Sequence, residues 1–329
     1  MVAQKPRSLM LIHNFRPGPT GGAEIQAERL ARSLLCFGHP VSVLTNPISV
    51  TSQWHDFAGG VPVAPADEVF YGNGRDSSSG LDEQTAAIGD EVVGHIYRPP
   101  FSLAYQVFDG AADTFRFLIK NRNKYDILHC HFAYGHAVVA VVVARLLRKR
   151  CIIKIACAGE FGEFHNFSKF DGFSKALHVL HQADAMIAVS AEVEQELLRY
   201  GFSKDRIVRI PNGVDTDYFN PHYREEISNK VRFLFVGRRQ PQKGVDLLLA
   251  AVQNLKTSGL GKKLEVQLCG VDSHGHDYQV MADRLGLSRL VKFLPFQKEM
   301  RQYYQEAQCF LLPSRGEGLS NALLEAMSM

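Results

Sequence analysis

Residues 231–252 read VRFLFVGRRQPQKGVDLLLAAV, and this stretch decides the fold. Residues 231–236 are an apolar run typical of a buried strand, and residues 244–257 have the period of a helix. The helix carries its apolar residues on one face: Val245, Leu248, Leu249 and Val252. A strand, a loop bounded by Gly237 and Gly244, and a helix make up half of a βαβ unit, which predicts a parallel sheet.

The same alternation extends in both directions from this stretch. Before it, strands are predicted at 8–13, 40–45, 126–131, 151–156, 185–189 and 207–210. Helices are predicted at 103–120, 136–147, 172–182 and 191–200, and another is predicted around the apolar positions 27–35 and ends at Gly38. After it, strands are predicted at 264–269, 291–295 and 308–312, and helices at 277–285, 299–306 and from Ser320. Residues 46–94 are rich in Gly, Pro, Ser and Asp and are predicted as loops with little regular structure.

This order predicts an α/β protein with two consecutive doubly wound, Rossmann-like domains. The first domain is predicted over 1–212, an interdomain linker over 213–229 and the second domain over 230–329. Ligands of such sheets bind outside the carboxyl ends of the strands, so the loops that follow strands are the places to search for a site.

Composition excludes several classes of protein. The 329 residues suffice for two cores, and a hydrophobic content of 46% excludes a disordered chain. The net charge of +3 is too small for a nucleic-acid binder that works through a broad basic face. The longest apolar run, 137–144, is far shorter than the roughly 20 residues of a membrane-spanning helix. The six cysteines form no C-x-x-C pair, which favours buried, reduced thiols.

Two candidate sites lie in the first predicted domain. Gly21 and Gly22 precede a helix, where they allow close approach of an anionic ligand or simply form a tight turn. No dinucleotide-binding or P-loop motif is present. His129 and His131 share one face of a strand end. They could bind a metal, line a cleft as neutral hydrogen-bonding groups, or be buried for structural reasons, and no acidic ligands follow them.

Two further candidates lie in the second predicted domain. Arg238 and Lys243 share one loop and suit a diphosphate, although a solvated basic turn is the alternative. Glu317 and Glu325 are eight residues apart, and eight residues of helix rise about 12 Å. Between them, unpaired N–H groups at a helix start would bind an anion. These groups belong to the run Gly318, Leu319, Ser320 and Asn321.

This loop and helix offer a carboxylate, then a helix start that would bind an anion, then a second carboxylate. A nucleotide sugar presents matching groups in the same order: sugar hydroxyls, a diphosphate and ribose hydroxyls. The alternative is a pair of glutamates that face solvent. The sequence around these residues resembles that of retaining glycosyltransferases of the GT-B fold, in the group 1 (family four) class. The resemblance covers nearly the whole chain and rests on seven segments: Gly21-Gly22, Asp126–His131, Ala188–Ser190, Pro211–Asp215, Val236–Arg238, Lys243-Gly244, and Glu317-Gly318 with Glu325–Met327, which holds the family's E-x7-E motif.

The resemblance implies two domains that face each other across a cleft, and it implies a role for each candidate. Arg238 and Lys243 would hold the donor diphosphate, and Gly22 would lie against it. Glu317 would bind the donor sugar hydroxyls and Glu325 the ribose. His131 would contact the donor sugar near the reaction centre. The chain departs from the common pattern at Cys157–Glu160, so Glu160 could orient the acceptor or be a surface charge.

The expected substrates are a nucleotide-diphosphate sugar and a glycan or lipid-linked acceptor, with no metal, cofactor or nucleic acid. We expect a cytoplasmic enzyme and keep open a peripheral contact with the inner face of the membrane.

Two alternatives to this function remain: a phosphorylase or nucleotide-sugar hydrolase on the same fold, and a non-enzymatic nucleotide-sugar-binding protein. The last helix shows no stop signal before Met329, so we also expect a truncated second domain with weak or no activity.

Overall fold

Parallel strands joined by helices make up both halves of the protein. The computed structural model describes residues 5–14, 21–46, 69–76, 81–88, 91–98, 103, 110–221, 230–272, 277–297 and 299–329. The described residues divide into two compact units, one up to Asn212 and the other from Gly213 to Met329. Among the residues with a described conformation, no helix combines the length and the apolar composition needed to cross a bilayer.

The described part of the first unit contains nine strands and six helices. The strands are β1 (Ser8–Leu11), β2 (Val41–Leu44), β3 (Val69–Asp76), β4 (Leu81–Ile88), β5 (Glu91–Arg98), β6 (Ile127–His131), β7 (Arg150–Ile155), β8 (Ala185–Ala188) and β9 (Ile207–Arg209). The helices are α1 (Gly22–Cys36), α2 (Ala111–Lys120), α3 (Gly135–Leu147), α4 (Glu163–Phe167), α5 (Phe173–Leu180) and α6 (Ala191–Arg199).

These nine strands form one sheet in the order β3-β4-β5-β2-β1-β6-β7-β8-β9. The run from β5 through β2 to β9 is parallel throughout, and β1 lies between β2 and β6 with Met10 beside both Val43 and His129. The carboxyl ends of β1, β6 and β7 therefore meet at one edge of the sheet. The candidate site residues predicted for the first domain were expected at the ends of these strands.

The expectation of loops over 46–94 is wrong for the described part of that range. Strands β3, β4 and β5 form an antiparallel meander there, with Val69 opposite Ile88 and Asp82 opposite Arg98. The meander joins the parallel sheet through β5, where Val43 lies beside Ile96 and Leu44 beside Tyr97. Glycine and aspartate residues interrupt the apolar pattern of this region, so its sequence does not indicate strands.

Helix α1 shows how the sequence sets the local structure. Ala27, Ala31 and Leu35 recur on one face and are buried against Met10 of β1 and its neighbours. Gly38 follows the helix with a φ of 72°, a left-handed conformation that glycine adopts without steric cost. Both the helix and its glycine stop were predicted.

The second unit has a four-stranded parallel sheet in the order β12-β11-β10-β13. Its strands are β10 (Val231–Val236), β11 (Leu264–Cys269), β12 (Val291–Leu294) and β13 (Cys309–Phe310). Its helices are α7 (Val245–Thr257), α8 (Tyr278–Arg284), α9 (Arg301–Glu306) and α10 (Asn321–Met327). Strand β13 is shorter than the predicted 308–312, although Leu311 still donates a backbone hydrogen bond to Leu234.

The face of α7 predicted from spacing is the buried one. Val245, Leu248, Leu249 and Val252 pack with Phe235 of β10 and Leu268 of β11 in one apolar cluster. Both ends of the loop between β10 and α7 are therefore anchored in this cluster, so the charged side chains of the loop extend from fixed backbone positions.

Candidate functional site

The loop after β10 starts with a close contact between two glycines. Gly237 has a φ of 155° and Gly270, after β11, a φ of 145°. A Cβ on Gly270 would lie 2.0 Å from the carbonyl oxygen of Gly237, so only glycine fits there. This approach brings the ends of two neighbouring strands together beneath the loop.

Arg238 and Arg239 are adjacent in sequence but have opposite environments. The Arg239 side chain is buried, and its Nε and Nη2 donate to Asp272 at 2.9 and 3.0 Å. Its Nη1 also donates to the carbonyls of Leu268 and Leu294. The Arg238 side chain is exposed and has no hydrogen bond or ion pair among the described residues. Arg239 therefore has a structural role, because it joins this loop to Asp272, whereas Arg238 is available to a ligand.

Lys243 and Glu317, which the sequence analysis assigned separately, are in direct contact. The Lys243 ammonium donates to Oε1 of Glu317 at 2.5 Å, and the Ser314 hydroxyl donates to the same oxygen at 2.8 Å. Both charged side chains are about a fifth exposed, at 19% and 23%. The alternative of a solvated basic turn is therefore wrong for Lys243, and Glu317 does not simply face solvent.

Backbone contacts hold the two loops together around this pair. Gly244 has a φ of 66°, and a Cβ there would lie 2.1 Å from the carbonyl oxygen of Pro313. Gln242 exchanges hydrogen bonds with the facing loop, donating from its side chain to the carbonyl of Gly316 and accepting at its own carbonyl from Arg315 N–H.

A second ion pair fixes the same loop to the start of α7. The Arg315 guanidinium forks onto Asp246 at 2.8 and 2.6 Å. Its hydrogen bonds hold the pKa of Asp246 below its ordinary value. Arg315 also donates to the carbonyl of Pro241, so one side chain joins the Glu317 loop to the Lys243 turn.

Helix α10 carries the second glutamate of the predicted pair. Ser320 caps the helix by accepting from Leu323 N–H at 3.4 Å. The helix begins only at Asn321, so half of the spacing from Glu317 to Glu325 is not helical and the expected rise of about 12 Å does not apply. Gly318 and Leu319 immediately precede the helix, and Leu319 and Asn321 are themselves engaged in interactions.

Glu325 has a hydrogen-bond partner that its sequence motif does not indicate. The buried Tyr304 hydroxyl, on α9, donates to Oε2 of Glu325 at 3.1 Å. The Tyr304 ring is held edge-on by Phe219 and tilted against Phe310. No local motif signals this contact, because the two residues belong to different helices.

In the first unit, Gly21 caps α1 and its backbone N–H donates to Oε2 of Glu24 at 2.9 Å. Gly21 has a φ of −110°, which any residue adopts, so its backbone conformation does not require glycine. Gly22 is the first residue of the helix. Thr20, which precedes Gly21, lies outside the described residues.

The two histidines at the end of β6 are buried and stacked on each other. His129 is 7% and His131 2% exposed, with ring centroids 4.9 Å apart. Burial lowers the pKa of His129 to about 4 and places that of His131 well below its ordinary value, so both rings are neutral. Phe132 follows with a φ of 73°, a strained conformation for a bulky residue that often marks a functional site.

The loop after β7 is built on a carboxylate that the sequence analysis did not single out. Glu163 is buried and accepts from the backbone N–H groups of Ala156 and Cys157 at 2.7 and 3.1 Å. Burial raises the pKa of Glu163 to about 7. Glu160, the residue chosen from the sequence, is exposed on a short 3-10 turn over Gly159–Phe161.

The structure thus brings Lys243 together with Glu317, leaves Arg238 exposed on the same loop, and ties Glu325 to Tyr304. His131 belongs to the other unit. Within the described ranges, no group of three or more His, Cys, Asp or Glu side chains is arranged to hold a metal ion.

Two family profiles match the chain. The profile of Glycosyltransferase Family 4 matches residues 20–218, which is more than half of the chain. The profile of Glycosyl transferases group 1 matches residues 230–329.

Curated relatives match part of the chain. The D-inositol 3-phosphate glycosyltransferase of Nocardia farcinica is 32% identical over 166 residues, or 46% of this chain and 37% of that protein. The protein of the same name from Geodermatophilus obscurus is 30% identical over 167 residues, with the same coverages. This chain therefore spans well under two thirds of their length. An uncharacterized glycosyltransferase of Methanocaldococcus jannaschii is 22% identical over 97% of this chain and 77% of its own length.

Solved structures share the fold over nearly the whole chain. Anabaena HepE in complex with UDP-glucose superposes with a TM-score of 0.65 at 16% identity, covering 98% of this chain and 78% of that one. The catalytic domain of starch synthase IV from Arabidopsis thaliana, bound to ADP and acarbose, gives 0.63 at 16% identity, covering 98% and 81%. The predicted α/β fold with Rossmann-like domains is confirmed.

Proposed function

The chain belongs to Glycosyltransferase Family 4, and from that premise we propose that it transfers a sugar from a nucleotide-diphosphate sugar to a glycan or lipid-linked acceptor, with retention of configuration. The second unit would bind the donor and the first unit the acceptor. The D-inositol 3-phosphate glycosyltransferases described above support an enzyme of this class, and HepE and starch synthase IV carry UDP-glucose and ADP in the same fold.

One observation carries this proposal: the paired loops of the second unit. They present an exposed guanidinium at Arg238, a lysine at 243 and a carboxylate at Glu317, locked together through Gly244, Gln242 and neighbouring contacts. A diphosphate beside a hydroxylated sugar is the ligand that this order of cations and carboxylate fits. Fixed charges of this kind cost no reorganisation when the reaction occurs.

Arg238 and Lys243 would stabilise the leaving group. The bond between the anomeric carbon and the diphosphate oxygen breaks, and negative charge grows on the diphosphate. Cations placed there bind the transition state more tightly than the ground state. The Lys243 ammonium has three N–H donors, so it can keep one on Glu317 and direct the others at the phosphates. The acceptor oxygen bonds to the anomeric carbon, and its proton passes to the leaving diphosphate.

Glu317 and Glu325 would fix the two ends of the donor. Oε1 of Glu317 already accepts from Lys243 and Ser314, whereas its Oε2 has no hydrogen bond within the described structure and would accept from sugar hydroxyls. Glu325, oriented by Tyr304, would accept from the ribose hydroxyls.

The remaining predicted residues complete the proposed site. Gly21 and Gly22 at the start of α1, and Gly318, Leu319, Ser320 and Asn321 at the start of α10, are proposed to lie against the donor. His131 is proposed to contact the donor sugar. The donor is a substrate, and we assign no resident cofactor or metal. We further propose that the protein acts in the cytoplasm.

The test is a transfer assay on the purified chain with UDP-, GDP- and ADP-sugars. Acceptors include inositol 3-phosphate, because curated relatives carry that name, and a lipid-linked sugar. We expect release of one nucleoside diphosphate and a product of unchanged anomeric configuration by NMR, with activity that survives EDTA. Arg238→Ala should lower turnover roughly 10²- to 10³-fold, and Arg289→Ala, at an exposed arginine of the same unit, should leave it unchanged.

Three results would contradict the proposal. An inverted product would refute retention, and turnover that needs free phosphate would indicate a phosphorylase. Binding of every nucleotide sugar without release of its diphosphate, in the presence of these acceptors, would favour a non-enzymatic binding protein.

A further inference from the structure

Three side chains of the first unit lie together on one sheet face at the carboxyl ends of β6 and β7. We call His129, His131 and Lys154 the β6–β7 cluster. His131 and Lys154 are direct neighbours in the parallel register, so their side chains leave the sheet on the same face. His129, two residues before His131, shares that face and stacks on the His131 ring.

Lys154 is a partly buried cation without a counter-charge. Its side chain has no hydrogen bond or ion pair with any residue that the structure describes. Burial lowers the pKa of Lys154 to about 8, and no carboxylate opposes this shift. In contrast, the buried guanidinium of Arg239 is paired with Asp272. A cation withdrawn from water is costly unless an anion compensates it.

The two imidazoles beside Lys154 have unused hydrogen-bonding capacity. Nε2 of His129 and Nε2 of His131 are buried and have no partner among the described residues. Burial is the main cause of the lowered pKa of both rings, and the Lys154 charge lowers it further, which places the ammonium near them. Each neutral ring carries one N–H, so the cluster can offer an ammonium and two imidazole donors to a group with several oxygens.

We propose that the β6–β7 cluster binds a phosphate group of a substrate. The location supports this, because ligands of parallel α/β sheets bind outside the carboxyl ends of the strands, and the strained backbone of Phe132 lies directly after His131. The proposal rests on the proposed function in that the phosphate belongs to the donor or to an anionic acceptor. It assigns Lys154, a residue that no motif singled out, a direct contact with substrate.

The alternative is that the Lys154 stem merely covers the sheet and its ammonium reaches water. The test uses the full chain labelled with ¹³Cε1-histidine, with NMR signals assigned through His129→Gln and His131→Gln. We expect inorganic phosphate to shift both signals saturably. In Lys154→Met, which keeps the stem and removes the charge, the shift should disappear while the unliganded thermal midpoint stays the same or rises. Lys175→Met, at an exposed lysine of α5, should respond as the wild type does.

Two further ligands distinguish the source of the phosphate. If UDP moves the same signals and displaces inorganic phosphate, the cluster binds the donor; if glucose 6-phosphate does so and UDP does not, it binds an acidic acceptor. No shift with any of the three, or a shift that persists in Lys154→Met, overturns the proposal. Because this readout needs no turnover, such a failure leaves the proposed sugar transfer standing, and loss of transfer activity alone would leave the phosphate site standing.

Discussion

The candidate groups of the two units differ in how their charges are satisfied. In the second unit, the charged side chains around the loops form pairs: Lys243 with Glu317, Arg315 with Asp246, and Arg239 with Asp272. In the first unit, the β6–β7 cluster consists of neutral imidazoles and a lysine with no described counter-charge. Apart from the exposed Arg238, the charges of the second unit's loops are paired without a ligand, whereas the β6–β7 cluster has a cation with no described counter-charge.

This difference separates two ways of preparing a site. Paired charges hold loops rigid, so a ligand meets a preformed geometry and pays little to order it. Unpaired buried groups instead destabilise the empty protein and recover that free energy when a ligand binds. Mutations in the second unit should therefore reduce rate or binding directly, while those in the first unit should show a dependence on pH or on ligand.

The largest expected effect tests the single unpaired cation of the second unit's loop. Arg238→Ala should raise the barrier to transfer by about 2.7–4 kcal/mol, a loss of roughly 10²- to 10³-fold in kcat, as for other groups that stabilise developing charge. Stability to urea should not change, since Arg238 has no described partner. In contrast, Arg239→Ala should lose stability first, because it leaves Asp272 unpaired. Equal stability losses in the two variants would contradict the distinction.

The second effect concerns pH and the buried carboxylate of the first unit. The pKa of Glu163 is raised from 4.5 to about 7. The folded protein therefore holds a proton that the unfolded chain releases, and this group's contribution to stability falls as pH rises between those values. The pKa of His129 is lowered from 6.5 to about 4, so its contribution is lost as pH falls through that range.

Glu163→Gln should remove the contribution of this side chain to stability, which in the wild type falls as pH rises. The variant should gain stability relative to the wild type by up to about 3 kcal/mol between pH 4.5 and 7, at 1.36 kcal/mol per pKa unit. Urea unfolding across this range measures it, with Glu160→Gln as the exposed control. A constant difference between variant and wild type would mean that Glu163 is ionised throughout.

A smaller effect is expected at the Tyr304–Glu325 contact. Tyr304→Phe removes one hydrogen bond to a carboxylate and should weaken binding of UDP, ADP or GDP roughly tenfold. The loss should be smaller for the 2′-deoxy nucleotides if Glu325 contacts the ribose. Calorimetry compares the two series, and Tyr303→Phe on the same helix is the control. The same loss for both kinds of nucleotide would restrict Tyr304 to a structural role.

The smallest effect concerns the Arg315–Asp246 pair. Its side chains are 35% and 37% exposed, so solvent screens their attraction. Arg315→Lys loses the forked geometry and should cost at most about 1 kcal/mol of stability. Urea unfolding and kcat measured together would show whether the Arg315–Asp246 pair contributes more to the rate than to folding. A stability loss well above about 1 kcal/mol would contradict the expectation that solvent screens this pair.

The sequence predicted the parallel sheets because apolar strands alternate with helices of clear period. It did not predict β3, β4 and β5, which pair with each other as an antiparallel meander. The glycine-bounded loop could be predicted because Gly244 has to accommodate the backbone at Pro313, and glycines with such a role mark loops in a sequence.

Side-chain roles were harder to predict than loops. Arg238 and Arg239 are equivalent in sequence, and only the position of Asp272 after the next strand separates them. Glu160 and Glu163 both follow β7, and burial by the fold distinguishes them. Tyr304 and Glu325 lie on different helices, so no spacing rule joins them. In each case the deciding partner is distant in sequence.

The contact that Gly244 permits also sets an order of events during synthesis. Lys243 and Glu317 are 74 residues apart, as are Gln242 and Gly316. A ribosome that adds about 5–20 residues per second needs roughly 4–15 s to extend the chain from one loop to the other. During that interval the nascent protein already contains the Arg238 turn but lacks the carboxylate that faces Lys243. A nucleotide-diphosphate sugar would therefore gain the proposed contact between its sugar and Glu317 only after the Glu317 loop has been made, so sugar-dependent binding would report that both loops are in place.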